Sequence, residues 1–141
     1  MPAMPLDRPL IPLFQAMGYN VEINAEAVEA HCVMEISQLH LNRQGSLHGG
    51  VAATLLDTAS GITASLSCDP QGLTPFVTLS LNVNYMALAR QGAVRASGRI
   101  TGGGRTTKFV ACDLRDAEGR LIAASTGVFK RMRNTGTEAA A

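Results

Sequence analysis

Tryptophan is absent, and four phenylalanines and two tyrosines hold the aromatic share of the chain to 4%. Charge of one sign is missing too: Lys+Arg 12 against Asp+Glu 11 leaves a formal charge of +1. With no basic block and no tryptophan, nothing marks a nucleic-acid binder. The short basic stretch Lys130-Arg131-Met132-Arg133 reads as solvated tail. Cysteine is scarce, odd in number and widely spaced (Cys32, Cys68, Cys112), with no CxxC pair. That excludes a disulfide frame and gives no zinc motif or other metal site, and it fits small core residues in a reducing cytoplasm. The proline-rich start, MPAMPLDRPLIPLFQAMG, has no basic opening followed by a long apolar run, so it does not read as a signal peptide. No stretch approaches the length of a membrane-spanning helix. GxSxG is absent as well, so no serine elbow is expected, and Ser46 falls in a loop.

What is present is a 141-residue chain, 46% hydrophobic, long enough for one domain with a real core. Residues 1–18 are expected to form an arm and a short helix ending near Gly18. Residues 19–36 alternate loosely about a turn at 24–26 and suggest two strands. A polar loop over 37–47 leads into a helix over about 49–67, and CDPQG at 68–72 is a turn. In FVTLSLNVNYM the period becomes two, with Val77, Leu79, Leu81, Val83 and Tyr85 on one face and Thr78, Ser80, Asn82 and Asn84 on the other. Three more strands follow, the last two joined at Asp116-Ala117-Glu118-Gly119, and the tail over 134–141 is expected to be disordered. The expected class is α+β: an antiparallel sheet of about six strands curved around one long helix, occupying residues 19–133.

The helix carries one charge. On a wheel of 100° per residue, Val51, Leu55, Ala59, Ile62 and Leu66 make an apolar stripe, and Asp57 points away from it among Ala53, Ser60, Gly61 and Ala64. A helix with no charged face is usually covered on all sides, so Asp57 is expected to be partly desolvated. Such a carboxylate is either held by a hydroxyl, from Thr54 or a strand serine, or functional. The helix opens on His48-Gly49-Gly50. Two glycines leave the first free N–H groups unshielded at the positive end of the helix dipole, which suits an oxygen that becomes negative in a reaction or a plain glycine-rich start. Gly49 and Asp57 are eight residues apart, about 12 Å along a helix, too far to serve one reacting group from the same chain. If both are catalytic, they come from different subunits of a two-fold dimer.

Asn42-x-x-Gly45-x-x-His48-Gly49-Gly50 followed by Asp57, with the strand VTLSLNVNYM and the late stretch GRTTKFVACDLRDAEGRLIAASTGVF, resembles the hotdog-fold acyl-CoA thioesterases, closest to their PaaI-like branch. The resemblance spans about residues 10–132. It implies a hotdog fold, a homodimer with one continuous sheet that often pairs into a homotetramer, and hydrolysis of an acyl- or aryl-CoA ester without metal or organic cofactor. By position it implies Asp57 as base or nucleophile, the Gly49 amide as the carbonyl's polariser, Asn42 orienting the carbonyl or water, His48 holding Asn42, and Thr78 binding the water beside the carboxylate. His48 has a plainer reading as a helix cap. CoA phosphates call for cations near the entrance, for which Arg90, Arg105 and Lys108 are candidates, with Gly50 beside the carbonyl site. Phe14, Leu56 and Met86 are candidates for the acyl pocket. Hydratases of the same fold place an aspartate shortly before a histidine, the reverse of the order here. A non-catalytic thioester-binding module is the remaining alternative. His31 and His40 have no partner by spacing and read as structural or exposed.

Overall fold

The computed structural model describes residues 4–5 and 12–133; the tail expected to be disordered over 134–141 lies outside them. A two-residue strand β1 (Met4–Pro5) precedes a short helix α1 (Pro12–Met17), which ends at Gly18. Gly18 has φ +77°, and its N–H closes onto the Phe14 carbonyl, a left-handed helix stop that favours glycine. Strands β2 (Tyr19–Asn24) and β3 (Glu29–Glu35) form the first hairpin. A 3₁₀ turn and the loop over 41–47 lead to helix α2 (Gly49–Leu66). Strands β4 (Phe76–Tyr85), β5 (Ala93–Gly103), β6 (Thr107–Asp116) and β7 (Leu121–Arg131) complete one antiparallel sheet in the order β1-β2-β3-β5-β6-β7-β4. The six long strands wrap α2 as the sequence suggests; the two-residue β1 is an addition at one edge.

Helix α2 is seated in the concave face against β3, β5, β6, β7 and β4. The buried side is wider than the expected stripe and turned from it. Leu55, Ala59 and Leu66 are buried as expected, joined by Ala52, Leu56 and Thr63, while Val51 and Ile62 sit half-buried on the flank. Ser60 and Ala64, placed with Asp57 on the side away from the stripe, are fully buried, as expected of a helix covered on all sides. The physical reason is the curvature of the sheet, which covers more than a quarter turn of helix and selects small residues where it comes closest. Gly98 of β5 marks one such approach: a methyl group there would overlap Thr63 Oγ1 and come within 3.1 Å of the Ala59 carbonyl oxygen. Thr63 Oγ1 in turn accepts the Ala30 N–H of β3 at 3.0 Å, tying helix to sheet. Around this seat the main core gathers Tyr19, Val21, Met34, Leu55, Leu56, Val94 and Leu114.

Strand β4 is an edge strand, with no strand on its outer side among the described residues. Its ladder to β7 is irregular between Thr78 and Ser80. The extra residue there shifts the alternation by one, so Thr78 lies opposite Phe129 and shares the helix-facing side with Leu81, Val83 and Tyr85. The strict two-residue period predicted the opposite side for Thr78 and is corrected by this bulge.

Candidate active site

Asp57 is half-buried on α2, and the Thr78 hydroxyl donates to its Oδ1 at 2.7 Å. The bulge on β4 is what aims Thr78 at the helix. A hydrogen bond to a charged acceptor is among the stronger kinds, and it fixes the carboxylate's orientation while leaving Oδ2 without a bond among the described residues. The hydroxyl that holds Asp57 therefore comes from Thr78, whereas Thr54 turns back to the Gly50 carbonyl oxygen at 2.9 Å. On the next residue, Thr58, Oγ1 lies 3.4 Å from the Tyr19 hydroxyl. Burial raises the Tyr19 pKa, and the Asp57 charge adds to the rise, so this phenol stays neutral.

The other end of the site is the first turn of α2. His48 caps the helix: its Nδ1 accepts the Gly50 N–H at 2.9 Å. The neutral imidazole is thereby set with its proton on Nε2. The expected contact between His48 and Asn42 is not made, because the imidazole folds back onto its own helix. Asn42 Oδ1 is instead the hub of its loop, accepting from Gln44 N (3.0 Å), Ser46 N (3.1 Å) and Ser46 Oγ (3.2 Å). Its amide NH₂ makes no hydrogen bond among the described residues. Gly49 N–H likewise has no acceptor among the described residues. The Tyr85 hydroxyl, from the far end of β4, donates to the Gly49 carbonyl oxygen at 2.7 Å.

Strand β4 thus runs antiparallel to α2 and touches it at both ends, Tyr85 at Gly49 and Thr78 at Asp57. Within one chain the two groups remain about 12 Å apart along the helix axis. Asp57 is only half covered, and Thr78 and Tyr85 are exposed on the same open side. A cavity of about 1010 Å³ lies between residues 87–93 and the turn at 116–120 and is lined by none of Gly49, Asp57 or Thr78. Within one chain, β4 places a hydroxyl at Asp57 and another at Gly49, and the two positions stay apart.

The expected cations divide. Arg90 donates to the carbonyl oxygens of Gln44 (3.0 Å) and Gly45 (3.4 Å), so it braces the Asn42 loop. Arg105 is exposed at the turn between β5 and β6. Lys108 is half-buried and lies in the same cross-strand row as Phe129 and Thr78. Gly50 is committed at both its N–H and its carbonyl. Of the pocket candidates, Leu56 is fully buried in the main core and Phe14 stacks on Tyr19, with ring centroids 4.9 Å apart; Met86 is exposed. His31 and His40 are both buried and bonded, His31 Nδ1 to Ser97 Oγ at 2.8 Å and His40 Nε2 to the Met17 carbonyl at 2.6 Å. Sequence reasoning missed Tyr85 as a site residue. It stood as one more apolar-face residue of β4, and only its odd spacing from Thr78 hinted that a phase change was needed to bring both to the helix.

The thioesterase superfamily model matches residues 44–123, more than half of the chain. The mouse protein acyl-coenzyme A thioesterase 13 is 35% identical over 103 residues, covering 72% of this chain and 71% of the relative. Among solved structures, a Haemophilus influenzae thioesterase superposes with a TM-score of 0.77 at 23% identity, covering 86% of this chain and 82% of that one. The E. coli PaaI protein, from the phenylacetic acid degradation operon, gives 0.73 at 18% identity, covering 88% and 86%. These structural likenesses establish the fold, and the sequence matches establish the family. The chain belongs to the thioesterase superfamily.

Proposed function

We propose that the protein hydrolyses the thioester of an acyl- or aryl-coenzyme A, the activity for which its mouse relative is named. The observation that carries this reading is that one edge strand, β4, bonds α2 at Asp57 through Thr78 and at Gly49 through Tyr85. A two-fold axis through the middle of β4 would pair two such edges antiparallel and extend the sheet. The Thr78 end of one copy then lies beside the Tyr85 end of the other. Asp57 of one subunit and the Gly49 amide of its mate meet, and two equivalent sites form. A homotetramer would be two of these dimers.

At such a site the Gly49 N–H, at the positive end of α2, stabilises the oxyanion as the thioester carbonyl is attacked. Asp57 takes the proton of a water that Thr78 helps to place, and CoA leaves as its thiol, protonated by that same proton. In the alternative route Asp57 attacks first to give a mixed anhydride, which water opens. Thioesters are reactive enough that a polarised carbonyl and a placed water suffice, so the reaction as read requires no metal or organic cofactor. Asn42 offers its amide NH₂, without a hydrogen bond among the described residues, to the carbonyl or water. Arg105 and Lys108 are the available cations for CoA phosphates; Arg90 is spent on the loop.

The test is a steady-state screen against phenylacetyl-, hydroxybenzoyl-, short-chain and medium-chain CoA esters, with Asp57→Ala beside wild type. Loss of a catalytic base lowers kcat by about 10²–10⁴-fold. Retention of most of the rate would remove Asp57 from the mechanism, and tight binding without turnover by wild type would make the protein a thioester-binding module. Mixed dimers of Asp57→Ala with a Gly49 variant should regain one working site in two. No recovery would refute the shared site.

A further inference from the structure

Resting on that reading of the Gly49 amide, we infer that Tyr85 is a positioning residue for the oxyanion donor. It acts through the Gly49–Gly50 peptide and not by touching substrate. Two successive glycines have the widest backbone freedom of any pair, and they sit in a first turn whose N–H groups have no intrahelical acceptors. The Gly49 N–H lies in the His48–Gly49 peptide, whose carbonyl oxygen accepts from Val51 N and Ala52 N at 3.0 and 3.1 Å. The next peptide, Gly49–Gly50, is joined to it only through the two soft torsions of Gly49; left alone it frays, and its rotation disturbs the aim of the Gly49 N–H at a bound carbonyl.

The structure meets this with side chains at every other polar group of the pair. The Tyr85 hydroxyl donates to the oxygen of the Gly49–Gly50 peptide, and the N–H of that same peptide donates to His48 Nδ1. Thr54 Oγ1 takes the next carbonyl, that of Gly50. One peptide plane is therefore gripped at both ends, from β4 on one side and from the cap on the other. Hydrogen bonds arranged in a chain through one amide polarise each other in the same sense. Of the four backbone N–H and C=O groups of Gly49 and Gly50, the Gly49 N–H alone is left for a ligand among the described residues. The ring also closes over the glycine: a Cβ at position 49 would lie 3.3 Å from both Tyr85 Cζ and Tyr85 Oη. The phenol is exposed, its large ring contributes little to the core, and its hydroxyl is spent on one carbonyl at the reacting end of the helix.

Tyr85→Phe keeps the ring and removes the donor. The expected result is a kcat lower by about tenfold, a KM within about twofold of wild type, and an unchanged melting temperature, because a donor that preorganises an oxyanion hole acts on the transition state. In ¹⁵N relaxation of the substrate-free protein, the Gly49 and Gly50 amides should lose order in the variant while those of Ala59 and Thr63 do not. A kcat within twofold of wild type, or a loss confined to KM, overturns the inference. So does unchanged order at Gly49 and Gly50. The two readings fail separately: a wild type that turns over thioesters and dies with Asp57→Ala but tolerates Tyr85→Phe sinks this inference alone. A wild type that hydrolyses no thioester sinks the function and the catalytic role of Tyr85 with it, while the relaxation data still decide whether the peptide is clamped.

Discussion

Replacing Gly98 by alanine is expected to lower the melting temperature by about 10 °C, and the route can be followed atom by atom. The new methyl group would overlap Thr63 Oγ1 and sit 3.1 Å from both Thr63 Cβ and the Ala59 carbonyl oxygen. Two relaxations are open. Thr63 can turn away, which leaves the buried Ala30 N–H without its 3.0 Å acceptor, a cost of about 1–3 kcal/mol. Alternatively α2 can lift from β5, an overpacking strain of about 1–3 kcal/mol. Some of each gives a loss of about 2–4 kcal/mol, and a chain of this size loses about 3–4 °C per kcal/mol. Thermal unfolding followed by circular dichroism measures it. The double variant Gly98→Ala/Thr63→Ala should be less destabilised than the sum of the singles, with about 1 kcal/mol of coupling, since the overlapped hydroxyl is gone. A Gly98→Ala protein melting within 2 °C of wild type, by the same scale, would refute the close seat of helix on sheet and with it the placement of Asp57.

Two further outcomes are expected. His31 is buried, and that burial, with the Arg95 charge second, lowers its pKa below the ordinary 6.5, against smaller opposing effects of Glu29 and Glu22. The unfolded chain then binds more protons than the native one between the folded value and 6.5, so stability should be flat above that window and fall as pH drops through it; His31→Gln should flatten the curve of melting temperature against pH, and an unaltered curve would refute the assignment. Burial pushes Cys112 up to about 12 and Cys32 higher still, while Cys68 is exposed. A thiol-disulfide reagent at about pH 8 should therefore titrate one thiol per native chain and all three in denaturant, and a second fast thiol in the native protein would count against the core as described.

The elements were largely legible because their signals are local. The glycine stop at Gly18, the period of the strands and the uncharged run from Gly49 to Leu66 each follow from neighbours in sequence. Asp57 stood out because a lone carboxylate among small residues needs a reason. What was not legible depends on closeness between distant segments. The wheel could not know how far the sheet would wrap, so it set Ser60 and Ala64 apart from the stripe that packs on the sheet. Nothing near His48 in sequence says whether its imidazole turns to Asn42 or to Gly50; the capping geometry decides. Arg90 looked like a free cation until the loop carbonyls of Gln44 and Gly45 were placed beside it.

Thr78 and Tyr85 are seven positions apart, and in an unbroken strand an odd spacing sets two side chains back to back. The irregularity after Thr78 absorbs one residue and brings both hydroxyls round to the same side. Chain length in this segment is therefore a chemical variable in its own right. Removing the one extra residue together with the irregularity would leave an even spacing of six and keep both groups on the helix side, whereas straightening the strand with all seven steps retained would rotate one of them out to water. Among members of the superfamily, the spacing and the irregularity must therefore change together: a gap of one position here keeps both hydroxyls on the helix only where the strand runs regular.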